Sequence, residues 1–116
     1  MRPRTIVALI APVLLFAVGC GDPGAATLGG TCMSVDDCTQ GQICLTGGVP
    51  MGYCSQTCPT VGAQDGCPSN GVCADVSTNS GTQRICTLIC QMQAECRTGY
   101  QCNGVSGSPF KSCRPN

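Results

Sequence analysis

The sequence predicts a small disulfide-rich fold: three tandem four-cysteine units with short β-hairpins and little helix beyond an N-terminal export segment. Three observations carry that prediction. Thirteen of the 116 residues are cysteine, and the chain has neither His nor Trp. Beyond residue 19, Leu, Ile, Val and Phe together number only 13, and a chain so poor in large apolar groups needs another source of order. The cysteines also recur with an internal rhythm, which is the mark of a repeat.

In chain order, the first element is residues 1–19. Arg2 and Arg4 precede an apolar run of 13 residues, Ile6 to Val18, which contains Pro12. A bilayer span takes about 20 residues, so this run suits the hydrophobic part of a signal peptide. It ends in Ala17-Val18-Gly19-Cys20. Small residues directly before a cysteine resemble the bacterial lipobox, although Ala17 stands where Leu is commonest. That resemblance implies a diacylglyceryl group on the Cys20 thiol and cleavage that leaves Cys20 as the acylated N-terminus. Parity agrees, because thirteen cysteines in an exported chain leave one over and setting Cys20 aside leaves an even twelve. Residues 20–31 are rich in Gly, Ala and Pro and read as a lipid-anchored flexible tether. Gly21, rather than Asp, follows the cysteine, and the resemblance then favours the outer membrane over the inner. The membrane is thus the expected partner through the lipid, and no cofactor is expected beyond that covalent lipid.

The cysteine-rich domain is expected over residues 32–113. Its first unit, 32–54, holds Cys32, Cys38, Cys44 and Cys54; its second, 58–86, holds Cys58, Cys67, Cys73 and Cys86; its third, 90–113, holds Cys90, Cys96, Cys102 and Cys113. Five residues separate the second and third cysteines in every unit, and three residues separate each unit from the next. Gly41, Gly71 and Gly99 fall between the second and third cysteines, where a short loop calls for positive φ. Asp37, Asp65 and Glu95 fall at or near the position before the second cysteine and are expected to cap a turn by accepting backbone N–H bonds. After each third cysteine a hairpin is expected. The clearest is in unit two, where Gly71–Val76 and Thr82–Leu88 flank the Asn/Ser/Gly turn of residues 77–81. Units one and three turn near Gly47-Gly48 and between Gly104 and Ser108, and one helical turn fits near Gln91–Glu95.

A unit this small cannot build its own core, and below about 40 residues disulfides are usually required. Bridges closing loops of this size contribute about 3 kcal/mol each. Val35, Ile43, Tyr53, Val72, Ile85, Ile89, Tyr100 and Phe110 are expected to pack against the half-cystines. Four cysteines allow three pairings per unit. First-to-third with second-to-fourth is favoured because it ties the leading loop to both hairpin strands; the nested pattern and pairing between units stay open.

The spacing resembles tandem cysteine-rich repeats of secreted and lipid-anchored proteins of Gram-negative bacteria with large genomes, and the Dickkopf N-terminal cysteine-rich type of module. It lacks the C-x-C of an epidermal-growth-factor module and the adjacent Cys-Cys of a whey-acidic-protein module. The resemblance implies an extracellular interaction or spacer module with a possible extracellular protein partner, and not an enzyme. The composition points the same way. Without His there is no Ser/His/Asp or Cys/His catalysis. Six basic residues against six acidic give no nucleic-acid footprint. No C-x-x-C is present, and C-x3-C occurs only at Cys54/Cys58 and Cys86/Cys90, which disfavours both zinc and thiol-redox chemistry. One carboxylate per unit is too few for calcium. Tyr53, Tyr100 and Phe110 lie beside or near cysteines, so they read as packing residues rather than a carbohydrate platform. The rival reading is a protease inhibitor presenting either the Gly47–Gly52 loop or the Asp75–Arg84 loop, with Arg84 as the exposed cation.

Overall fold

The third and fourth cysteines of each unit face each other across an antiparallel hairpin. In the computed structural model, which describes residues 25–115, Cys44 is the cross-strand partner of Cys54, Cys73 of Cys86 and Cys102 of Cys113. Opposed residues project from the same side of a sheet, so both half-cystines of a hairpin reach toward the loop that precedes it. The bridges run accordingly: Cys32–Cys44 and Cys38–Cys54, Cys58–Cys73 and Cys67–Cys86, Cys90–Cys102 and Cys96–Cys113. This is first-to-third with second-to-fourth in all three units. Within each unit the sulfurs of the first, second and fourth cysteines gather within 4.8 Å, so the two bridges lie against each other. The repeat read from spacing is therefore a repeat in space.

Among the described residues six strands form two sheets. Unit one contributes β1 (Ile43–Leu45) and β2 (Tyr53–Ser55), a two-stranded sheet. Units two and three share a four-stranded sheet in the order β3-β4-β6-β5, from β3 (Gly71–Thr78), β4 (Gly81–Cys90), β5 (Tyr100–Gly104) and β6 (Lys111–Pro115). Single 3-10 turns at Val35–Asp37 and Gln93–Glu95 are the helical segments among the described residues. The sharing of the sheet is a departure from separate units. Thr87-Leu88-Ile89, spaced like a linker, is β-branched and apolar and continues β4, whose last residues pair with β6 at Ile89–Ser112 and Cys90–Lys111.

Unit one is stitched to that sheet by backbone and hydroxyl bonds. The Cys86 N–H donates to the Gln56 carbonyl at 2.9 Å, and the buried Ser55 hydroxyl donates to the Cys86 carbonyl at 2.5 Å. The β3–β4 tip closes back onto the β1–β2 loop, where the Asn79 N–H donates to the Gly47 carbonyl at 2.8 Å. The main core follows from this docking. Leu28, Leu45, Val49 and Tyr53 come from the N-terminal part, Val76 and Ile85 from unit two and Tyr100 from unit three, packed together with half-cystines of units two and three. No unit has enough apolar area for a core of its own, and the three units pool what they have. Val72, Ala74 and Val105 form a smaller cluster backed by Val61, Ile89 and Phe110.

Four sequence expectations need correction. The tether was expected to run to residue 31, but residues 25–31 are docked: Ala26 bridges to Cys38, Gly29 N–H donates to the Cys54 carbonyl at 2.9 Å, Cys54 N–H donates to the Gly30 carbonyl at 3.0 Å, and Leu28 is 5% exposed. Cys20 and residues 21–24 lie outside the described residues, as does the export segment. Gly71 was expected at positive φ but sits in β3; the loop of unit two turns at Gly66 (φ 77°), while Gly41 and Gly99 do turn, at 89° and 90°. Gly71 is needed for space, because a Cβ there would come within 2.6 Å of the Leu28 side chain. Val35 and Ile43, expected in the core, are exposed. Asp65 is exposed and makes no side-chain bond among the described residues; Gln64 takes the bracing role, its amide donating to the Ser69 and Gly71 carbonyls.

Candidate interaction surface

Two features could carry function: a polar aromatic clasp between units one and three, and an apolar face on unit one. The clasp forms where Tyr53, before the last cysteine of unit one, meets Tyr100 at the start of β5. Their rings stack with centroids 5.6 Å apart. The Arg97 guanidinium lies 4.4 Å from the Tyr100 centroid and 5.7 Å from that of Tyr53. It donates to the Gly52 carbonyl and, at 2.7 Å, to the Tyr100 hydroxyl, which donates in turn to the Pro50 carbonyl at 2.8 Å. The Tyr53 hydroxyl accepts from the Leu88 N–H at 2.8 Å. Burial pushes the Tyr53 phenol up to about 12 and raises that of Tyr100, with the nearby guanidinium pulling both back. These partners are all internal, so the clasp fixes the units together and presents no aromatic face to a ligand. This agrees with the packing role expected for both tyrosines, and Phe110 is likewise half-buried.

The loops proposed for an inhibitor are also engaged. Arg84 faces Asp75 across the hairpin at 3.3 Å and donates to the Pro59 carbonyl at 3.3 Å. In the Gly47–Gly52 loop Val49 is buried and the Met51 carbonyl accepts the Cys32 N–H at 3.1 Å. Met51 has φ 63°, the one non-glycine positive φ among the described residues, so the loop is not in the extended, substrate-like shape that protease inhibition by this route needs. The sulfur groups that could be mistaken for metal sites are the stacked bridges themselves, whose atoms are bonded to one another rather than present as thiolates.

The second feature is on unit one. Of the five large apolar side chains exposed among the described residues, four belong to it: Met33 (91%), Met51 (75%), Val35 (57%) and Ile43 (42%). Met33 and Met51 line one shallow depression with Ala26, Thr31, Cys32 and Asp37, and Val35 lines a neighbouring one with Ala25. The backbone beneath is firmly held. Asp37 accepts the N–H groups of Met33 and Ser34 at 2.8 and 3.1 Å, the capping role expected of it, and those bonds hold its carboxyl below the usual range. In unit three the Glu95 carboxylate accepts the Gln91 N–H at 3.3 Å. Gly52 packs so closely under the loop that a Cβ would lie 1.9 Å from the Cys32 carbonyl oxygen. Met33 and Met51 went unnoticed in the sequence because a lone Met in a Gly/Ser/Pro context has no periodic partner; the spacing that joins them is set by the bridge and hairpin of unit one.

The described residues contain no helix long and apolar enough to cross a membrane. Six disulfides in so small a domain place the protein among exported or extracellular ones. Comparison with known protein families, curated proteins and solved structures finds no match, so the functional reading rests on these residues.

Proposed function

We propose that the chain is a lipid-anchored envelope protein of non-enzymatic, structural, adhesive or protein-binding role, held by Cys20 and shaped by its disulfides. A compact, cross-linked β-domain is compatible with a structural or binding role. The observation that carries the anchor is the exhaustion of cysteine partners. All twelve cysteines of the described residues pair among themselves, so none remains for Cys20, the thirteenth. An odd thiol in an exported chain needs another fate, and its place after Ala17-Val18-Gly19, at the end of an apolar run, suits acylation. More than one acyl chain makes such attachment stable.

The test is the intact mass of the protein extracted from membranes of a Gram-negative producer, before and after reduction. The expected species starts at Cys20, carries acyl mass and gains twelve hydrogens on reduction. A species with an unmodified Cys20 would remove the anchor, and one that gains no mass on reduction would remove the staples.

A further inference from the structure

We infer that unit one is the membrane-facing end of the domain, with Met33 and Met51 in contact with the lipid surface that holds Cys20. The inference rests on the anchor proposed above and adds the domain's orientation. It follows from the docking of residues 25–31. A free tether to residue 31 would reach roughly 40 Å from Cys20 at about 3.4 Å per residue. With Ala26 bridged to Cys38 and Leu28 buried, the leash shrinks to Gly21-Asp22-Pro23-Gly24, whose full extension brings Ala25 no farther than about 17 Å from Cys20. The headgroup layer takes roughly 5–8 Å of that. The domain is thereby held within about 10 Å of the surface at its Ala25 end.

Three of the exposed apolar side chains lie at that end. Ala26 shares a depression with Met33 and Met51, and Ala25 shares one with Val35. Contiguous exposed apolar surface marks a contact site, and the unbranched thioether side chain of Met adapts to an irregular partner. Met51 is held outward on a backbone that non-glycine residues rarely adopt. Residues 25–54 carry no Lys or Arg, while Asp37 lines the Met33–Met51 depression and Asp36 the neighbouring one, so the surface fits zwitterionic rather than anionic lipid. A lipid surface is the occupant the leash delivers.

The chain lacks Trp, which makes a single Trp a clean reporter. The full chain, acylated in a Gram-negative host, is reconstituted into phosphatidylcholine vesicles with and without brominated acyl chains, as Met33→Trp, Met51→Trp and Ser106→Trp. Ser106 lies in the β5–β6 turn, packed near Gly62 of unit two. Met33 does not share the positive φ of Met51, so Met33→Trp keeps the test decisive if Met51→Trp fails to fold. Expected are flotation of all variants with the vesicles, and a blue shift with loss of emission in brominated lipid for positions 33 and 51 but not 106. Flotation with Met33→Trp as bright as Ser106→Trp would overturn the orientation and leave the anchor standing. Failure to float, with no acyl mass on Cys20, would overturn both.

Discussion

Leu28 separates a docked N-terminal segment from a free one. It lies in Gly-Ala-Ala-Thr-Leu-Gly-Gly, a stretch with the composition of a linker, yet its side chain is 5% exposed and packs in the main core beside Gly71. Full burial of a Leu side chain contributes about 1.5–3 kcal/mol by transfer from water. Truncation leaves a cavity as well, so Leu28→Ala should destabilise the domain by about 2–5 kcal/mol. Relaxation should be limited, because the backbone on either side is pinned: Gly29 donates to Cys54, and Cys54 donates to Gly30. The assay is urea unfolding with the bridges intact, paired with amide hydrogen exchange. Wild-type Gly29 and Cys54 amides should exchange with the core, and in Leu28→Ala they should exchange early. A change below about 0.5 kcal/mol, the range of ordinary surface substitutions, together with fast exchange at Gly29 in the wild type, would show that residues 25–31 are not part of the fold. The short leash would then fail as well.

Tyr53 and Tyr100 are the only tyrosines, so phenolate absorbance follows them directly, and Tyr53 should titrate near 12 in the folded protein. Burial favours its neutral form, so the associated stability is fully present below pH 10 and is lost as pH rises from 10 toward 12, by about 2–3 kcal/mol; a single transition near 10 with unchanged stability would contradict the buried clasp. Asp37 works in the opposite direction. Its lowered carboxyl gives stability that is present above the unfolded value and lost as pH falls through the folded one, so unfolding midpoints should drop below about pH 4 and Asp37→Asn should flatten that limb. Met51→Gly should raise stability by about 1 kcal/mol by relieving the positive φ, measured by the shift in denaturation midpoint, and should weaken whatever contact the exposed side chain makes.

The division into three units was legible because the second-to-third cysteine spacing is constant, and the pairing favoured over the nested one is the pairing all three units adopt. The capping by Asp37 and Glu95 was legible because it involves residues three or four apart. What escaped was non-local. Leu28 looks like linker until β2 and β3 are brought beside it, and Thr87-Leu88-Ile89 looks like a spacer until β6 offers an edge. Ile43 is apolar and next to a cysteine, which suggests a place in the core. Strand neighbours point to opposite faces, so inward Cys44 turns Ile43 outward. The same argument would expose Val72 beside Cys73, but there Val105, Val61, Ile89 and Phe110 cover the face that Val72 shares with Ala74. Unit one has no such cover.

That missing cover assigns different work to three units stapled in the same way. Unit two lends its long strand β4 to the sheet, and unit three supplies Arg97 and Tyr100 to the clasp. Unit one keeps Met33, Val35, Ile43 and Met51 outside. A chain with so few large apolar residues would ordinarily need to bury them, since each buried one contributes on the order of 2 kcal/mol to a domain with little to spare. Disulfides change that balance. At sequence separations of 12 to 19 residues, each removes about 3 kcal/mol of chain entropy from the unfolded state, independently of apolar burial. Cross-linking of this kind lets one unit hold an apolar face open, on a rigid backbone, without the domain collapsing around it.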